Sequence, residues 1–461
     1  MTYSRRQFLR ALGSTTAGLL IAPYLKSSNI YAYGHNEHSL YTSQVALTGA
    51  DNYDQAFIRQ RVQHLFDSIG GISDVVKPGM KVAIKINLTG GSGSSASPKL
   101  NGLPITESMW THPDVLRAVG ELILDCGVSP EDLFIVEALW DTASYNNFGY
   151  LTVQQSLGAQ FVNLNNKAPY ADFIQKDVGE NRFYYDSFTM NQVLSDIDVY
   201  VSIPKLKQHY DAGVTASLKN QVGTVPMLNY VMPSLNDGRR SMLHFQGGDI
   251  SFHLPHSICD LNMARPVHLA VIDGVRNARG GEGVWNPTFQ THQDNVLMAG
   301  KDPVATDSVA AYLMGNSPEA ATFQLPDGVR QCDNYLDLLR NKGVGTNLMS
   351  EIELVGNGAG MVTAVHGRER TPLPDGIQLY QNYPNPFNPS TTISFSLPHS
   401  EHIRLTLHNI VGQEIETLVD GEVPAGQHTI RWTGNGLASG VYIYRLQAGR
   451  FVEAKKMIYQ K

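Results

Sequence analysis

The run Ile197-Asp-Val-Tyr-Val-Ser-Ile203, followed by Pro204-Lys-Leu-Lys-Gln-His-Tyr210 and, after Asp211–Ala216, by Ser217-Leu-Lys-Asn-Gln-Val-Gly-Thr-Val-Pro226, decides the fold. Val199, Val201 and Ile203 form an apolar, β-branched stretch of the kind a buried parallel strand needs. Lys205, Lys207 and His209 follow at a spacing of two, so an extended chain places all three on one face. Lys219 and Asn220 come shortly after, in a helix-like pattern with Val214, Leu218 and Val222. Polar donors just past the carboxyl end of a buried strand are where an open α/β sheet holds its ligand. Their shared chemistry is affinity for an anion.

Outward from this stretch, strands and helices alternate between about Tyr41 and Val365. Ser43 to Leu47 reads as a strand. A helix from about Asp54 to Ile69 follows, with Phe57, Ile58, Val62, Leu65 and Phe66 on one side. Lys81 to Leu88 is a strand with Val82, Ile84 and Ile86 facing one way and Lys85 and Asn87 the other. The Gly90–Ser95 run after it suits either a phosphate-wrapping loop or a plain surface loop, and it lacks the nucleotide P-loop pattern. Thr111-His112-Pro113-Asp114 opens the next helix. Leu133 to Val136 is a strand ending at Glu137, and Phe161 to Leu164 is another. His268 to Ile272 is a strand ending in Asp273-Gly274 and a loop. Asn295 to Met298 turns through Gly300-Lys301-Asp302-Pro303 into a helix. The fold class expected is α/β, a mainly parallel sheet flanked by helices, with charged side chains along one sheet edge.

Five segments of this region stand in order: Lys85-x-Asn87, Ile203-Pro204-Lys205-Leu206-Lys207-x-His209, Leu218-Lys219-Asn220-x-x-Gly223, Val271-Ile272-Asp273-Gly274 and Gly300-Lys301-Asp302-Pro303-Val304-Ala305-x-Asp307. Together they resemble domain of unknown function 362. The resemblance covers most of residues 42 to 315. It implies an α/β fold and no agreed activity. Some members append ferredoxin-like cysteine motifs, which this chain lacks.

At the amino terminus, Ser4-Arg5-Arg6-Gln7-Phe8-Leu9-Arg10 precedes a short apolar stretch. This resembles a twin-arginine export signal, taken as residues 1–32 with cleavage after Ala32. The stretch is too short and too weakly apolar for a membrane span, and no later segment approaches one, so no integral membrane protein is expected. Past Val365 a polar, proline-bearing linker (366–376) leads into residues 377–461. There Ile393, Phe395 and Leu397, then Ile403, Leu405 and Leu407, alternate as in a small β-sandwich. The Tyr383-Pro384-Asn385-Pro386-Phe387-Asn388-Pro389 opening, Ser439-Gly440-Val441-Tyr442 and Lys455-Lys456 resemble a type IX secretion sorting domain. The twin-arginine and type IX export machineries are therefore the expected partners, and a secreted or cell-surface location by way of the periplasm is the expected destination.

A net charge of −7 argues against a nucleic-acid partner, so any cationic site is local. Cys126, Cys259 and Cys332 lie far apart with no Cys-x-x-Cys, which excludes an iron–sulfur cluster built by this chain alone; three buried thiols are expected. Lys205, Lys207 and Lys219 are the candidate catalytic groups. Lys85, Asn87, His209 and Asn220 are candidate ligand contacts for a small anion. Crowded lysines repel one another and lower the proton affinity of one, which suits a base or a Schiff-base nucleophile. Asp273, Asp302 and Asp307 are candidates either for pairing with the lysines or for a divalent metal. His244, His253, His256 and Asp260 make a second polar group, with Pro255 favouring a loop there. Two functional classes stay open: an exported enzyme, with or without a metal, on an anionic small molecule, and a non-catalytic surface binding protein whose lysine–aspartate cluster is structural.

Overall fold

A run carrying only Ser202 among apolar residues belongs inside a sheet, and every residue of Val199–Ile203 is buried there. The computed structural model describes residues 43–88, 99–232, 241–245, 250–286, 288–362, 376–382, 385–398, 401–423, 426–434 and 436–460. The stretch read above as an export signal (1–32), the Gly90–Ser95 run and nearly all of residues 366–376 lie outside these residues. The chain divides after Val362 into two compact units.

In the first unit, strand β1 (Ser43–Gly49) leads to helix α1 (Gln55–Ser68), whose capping Asp54 accepts from the Phe57 N–H at 3.0 Å. Strand β2 (Val82–Ile86) precedes helix α2 (Pro113–Asp125), where Pro113 occupies the first turn and its missing N–H is not needed. Strand β3 (Leu133–Glu137), helix α3 (Tyr150–Leu157) and strand β4 (Gln160–Asn163) follow. Next come β5 (Val199–Ile203), β6 (Lys205–His209) and β7 (Gly213–Thr215). Helix α4 (Ile250–Ala264), strands β8 (Leu269–Arg279) and β9 (Val296–Gly300), helices α5 (Pro303–Leu313) and α6 (Tyr335–Asn341), and strand β10 (Ile352–Val355) are the remaining elements that frame the large sheet, with shorter strands and helices in the connections.

The main path through the sheet is β10-β1-β9-β8-β5-β2-β3-β4. Along it β9 alone runs against its neighbours; the block β8-β5-β2-β3-β4 is parallel throughout. One face carries α1, α2 and α3, with Ile58, Val115 and Val153 packed on Ile84, Ile135 and Val201. The other carries α4, α5 and α6, with Ile258, Val309 and Leu336 in the same core as Ala83, Val136 and Tyr200. The chain builds β2, β3 and β4 outward in one direction, then returns to lay β5 on the other side of β2. The connections leaving β2 and β5 therefore diverge, and a crevice opens at their carboxyl ends.

Two elements differ from the sequence reading. Strand β8 does not end at Asp273 but runs on to Arg279. Gly274 permits this, because a Cβ there would come within 2.9 Å of Val296 and 3.0 Å of Leu206. The segment His253–His256 is helical despite Pro255. Leu254, Ile258 and Leu261 are fully buried at helical spacing, and that burial outweighs one missing N–H bond.

The second unit is all-β. Its strands are β11 (Gln378–Leu379), β12 (Ser390–Leu397), β13 (Glu401–Asn409), β14 (Glu414–Val423), β15 (Gly426–Thr433), β16 (Gly440–Ala448) and β17 (Phe451–Tyr459). They form antiparallel sheets β11-β12-β15 and β14-β13-β16-β17, which share a core of Ile393, Phe395, Leu405, Tyr444 and Met457. Among the described residues of the chain, no helix is long and apolar enough to cross a membrane.

Candidate functional site: a buried lysine cluster

Pro204 ends β5, and the chain continues as β6 against the far half of β8, pairing Lys205 with Asp273 and Lys207 with Ala278 across a register shift. Alternation along β6 sends Lys205, Lys207 and His209 to one side. A hairpin turn brings β7 back along β6, setting Thr215 opposite Lys207. The chain then enters a 3₁₀ turn, Lys219–Thr224, which returns Lys219 and Asn220 to the crevice. Asp307, on α5, fixes the entry to that turn by accepting the N–H groups of Ser217 at 2.8 Å and Leu218 at 2.7 Å.

Lys85 and Lys205 are paired with carboxylates. Lys85 donates to Glu137 at 2.9 Å and to the Asn220 side-chain oxygen at 3.3 Å; Glu137 also accepts the Leu88 N–H at 3.1 Å and the Ala138 N–H at 3.0 Å. Asn87 joins through its amide, 3.2 Å from the same Asn220 oxygen, and Asn220 donates to Ser202 at 3.1 Å. Lys205 donates to Asp273 at 2.5 Å and to Tyr53 Oη at 2.9 Å, while Tyr53 donates to the other Asp273 oxygen at 2.8 Å. Asp273 accepts the His112 N–H as well, at 2.9 Å, and the His112 ring stacks on Tyr53 at 3.7 Å. Both ion pairs are fully enclosed. Removing one partner from such a pair strands a charge and costs about 3–5 kcal/mol, so these four residues hold the sheet edge together.

Lys207 is different. Its ammonium donates to the Met109 carbonyl at 2.8 Å, and among the described residues no carboxylate lies within 4.0 Å of it. Burial, and then the charge of Lys219, pull its pKa down to about 7. His209 accepts the Asp211 N–H at 3.0 Å through Nδ1, and its Nε2 lies 3.9 Å from Glu282. Burial, followed by Lys219, holds His209 well below the usual histidine range, so the ring is neutral. The cluster thus offers a lysine poised near neutrality, a second ammonium and an uncharged imidazole in one enclosed place.

The aspartates do not form the metal set considered from the sequence. Asp302 caps α5, accepting the N–H groups of Val304 at 2.9 Å and Ala305 at 3.1 Å, that of Thr346 at 3.1 Å and the Ser43 hydroxyl at 2.7 Å. Asp307 is engaged by the two backbone groups named above, and burial raises its pKa to about 8. Asp273 belongs to Lys205. With every carboxylate turned to a different partner, the oxygens do not converge as a hard cation requires. The second polar group is likewise structural in its contacts. Asp260 accepts three consecutive N–H groups, from Phe183 at 2.7 Å, Tyr184 at 2.8 Å and Tyr185 at 2.9 Å, while His253 meets the Tyr185 hydroxyl at 3.3 Å. Among the described residues no group of three or more His, Cys, Asp or Glu is placed to hold a metal ion. The three cysteines are free thiols; Cys259 and Cys332 are buried, whereas Cys126 is part-exposed.

Tyr53 and Glu282 are absent from the sequence-derived candidates, and Glu137 appears there only as a charged strand end without a role. Glu137 carried a signal, a carboxylate closing an apolar strand beside the Lys85 strand. Tyr53 and Glu282 carried none, since each reaches the cluster from a loop whose position only the folded chain defines.

Comparison with known proteins matches residues 82–312 to the model of the Domain of unknown function (DUF362) and residues 381–460 to that of the Secretion system C-terminal sorting domain. The thylakoid-associated protein sll1697 of Synechocystis sp. is 23% identical over 281 residues, which span 59% of this chain and 75% of that protein. Among solved structures, PorZ, a type IX secretion surface component of Porphyromonas gingivalis, aligns with 18% of this chain and 11% of its own at 19% identity and a TM-score of 0.14. The endo-beta-1,4-mannanase of Thermotoga petrophila aligns with 90% of this chain and 97% of its own at 9% identity and a TM-score of 0.18. Structural likeness at these scores carries no functional argument.

Proposed function

This chain belongs to the Domain of unknown function (DUF362) family and carries a type IX sorting domain that marks it for secretion or the cell surface, and we propose that it binds a small anionic molecule between Lys207 and Lys219. The observation that supports this most directly is Lys207 itself. A buried ammonium beside a second one, held only by a carbonyl, gains most from an anionic partner. Lys85 and Lys205 are paired with protein carboxylates and serve as framework; in this reading Lys207 is the group that gains the anion, with Lys219 beside it and His209 and Asn220 lining the site. In the absence of the anion Lys207 is close to neutral, which fits it to take a proton from the bound molecule.

Inorganic phosphate is a sufficient probe. Added phosphate should raise the thermal midpoint of the wild-type protein through binding to the native state. The Lys207→Met/Lys219→Met variant should fold and lose that response. An unchanged wild-type midpoint across phosphate concentrations, or an equal response in the double variant, would sink the anion site.

We further infer a twin-arginine route through the periplasm before the type IX step, supported by Arg5-Arg6 ahead of a weakly apolar stretch. Arg5→Lys/Arg6→Lys should leave precursor in the cytoplasm; normal delivery of that variant excludes the route.

A further inference from the structure

Beyond the lysines, an indole is joined to the cluster through Glu282. Trp285 is 44% exposed, yet it is fixed on two sides. Its Nε1 donates to Glu282 Oε1 at 2.8 Å, and its ring lies across Gly283, where a Cβ would come within 2.4 Å of it. The same Glu282 accepts the Tyr210 N–H at 3.1 Å through Oε2, the oxygen 3.9 Å from His209 Nε2. One part-buried carboxylate therefore joins a rigid exposed aromatic face to the enclosed cationic cluster. A second polar group waits inside: the Thr215 hydroxyl is buried, has no hydrogen-bond partner among the described residues, and stands opposite Lys207 in the hairpin, hence on the same face.

We propose that the anion this site takes is a sugar bearing one acidic group, its ring stacked on Trp285, its hydroxyls donating to Glu282 and meeting Thr215, and its acid held by Lys207 and Lys219. The inference rests on the anion-site reading above and adds the class of molecule. An indole accepts the C–H face of a pyranose as readily as an aromatic ring. The groups between the indole and the lysines decide between the two. The buried Thr215 hydroxyl has no partner among the described residues and an aromatic acid would leave it unpaired, whereas Glu282, already holding the Trp285 and Tyr210 N–H groups, keeps lone pairs that a sugar hydroxyl meets and an aromatic edge does not. A simple inorganic anion would reach the lysines and leave the indole uncovered. Carboxylate and phosphate both meet a pair of ammonium groups well, so the acid is either.

Calorimetric titration of the full chain with inorganic phosphate, benzoate, glucose, glucuronate and glucose 1-phosphate separates these terms. Glucuronate or glucose 1-phosphate should bind about ten-fold or more tighter than inorganic phosphate and benzoate, and glucose should bind weakly. Trp285→Ala should remove the sugar advantage and leave phosphate binding unchanged, while Trp285→Phe should keep part of it. The better of the two sugar ligands identifies the acid. Phosphate binding with no preference for either acidic sugar, or a preference that survives Trp285→Ala, overturns the inference while the anion site stands. Loss of all binding in the wild type, or binding indifferent to Lys207→Met/Lys219→Met, overturns the anion site itself.

Discussion

Lys207 titrates near neutrality because it is buried and because Lys219 is beside it, and that has a consequence for stability. In the unfolded chain a lysine holds its proton up to about pH 10.4. Between about pH 7 and that value the unfolded state binds a proton that the native state does not, so the Lys207 contribution to stability rises with pH by about 1.4 kcal/mol per unit. Below about pH 7 both states are protonated and the full penalty of the buried charge is present. Lys207→Met should therefore be favourable relative to wild type near pH 6 and lose that advantage towards pH 9, as read by urea unfolding at the two values. A difference between the two proteins that does not move with pH would show that Lys207 keeps its proton in the fold. The lysines themselves were legible in the sequence, since cations directly after apolar strands fall at a sheet edge whatever the details. Their partners were not: Tyr53 and Glu282 come from loops, and pairing is a tertiary choice. Asp302 was more readable than the metal reading allowed. Asp-Pro immediately before an apolar helical pattern is a capping signature, and the carboxylate is spent on N–H groups of α5.

The element that brings Lys219 and Asn220 home is the 3₁₀ turn Lys219–Thr224, and its fit depends on Gly223. A Cβ there would lie 2.7 Å from both Lys85 Nζ and Glu137 Oε1, so the turn rests directly on the ion pair. The Gly223 carbonyl also accepts the Ala138 N–H at 3.2 Å, tying the turn to the end of β3. Gly223→Ala must either lift the turn or part the buried pair. A loss of about 1–3 kcal/mol is expected from overpacking at such a contact, together with weaker phosphate binding. Chemical denaturation of this variant at neutral pH measures the loss; wild-type stability would mean that the turn has room to shift. The same scale explains what the sequence hid about β8. A charged residue followed by glycine reads as a strand end, and in most sheets it is one. Here Asp273 remains in the strand because Lys205 comes down the neighbouring strand to meet it, and Gly274 remains because Leu206 and Val296 press on its backbone. The strand β5, apolar but for Ser202 and closed by Pro204, needed no such compensation and was legible at once.

At the scale of the whole molecule, the change from β–α alternation to alternating strands after Val365 was legible because periodicity shifts with it. The two units meet the physical condition for folding separately: among the described residues, no side chain beyond Val362 belongs to either core flanking the large sheet, and the core around Phe395 and Tyr444 draws only on the carboxy-terminal unit. Ending the chain at Thr371 should therefore leave a fragment that unfolds in one cooperative transition at close to the midpoint of the first unit in the full chain. It should still respond to phosphate through Lys207 and Lys219, because every residue that forms the cluster lies ahead of the cut. Delivery out of the cell should be lost, since the sorting domain goes with the removed unit. Scanning calorimetry of the fragment and fractionation of cells expressing it test the two halves of this argument independently. A fragment that unfolds without cooperativity would mean that the large unit depends on the sorting unit for its core, and secretion of the fragment would mean that another part of the chain carries the export address.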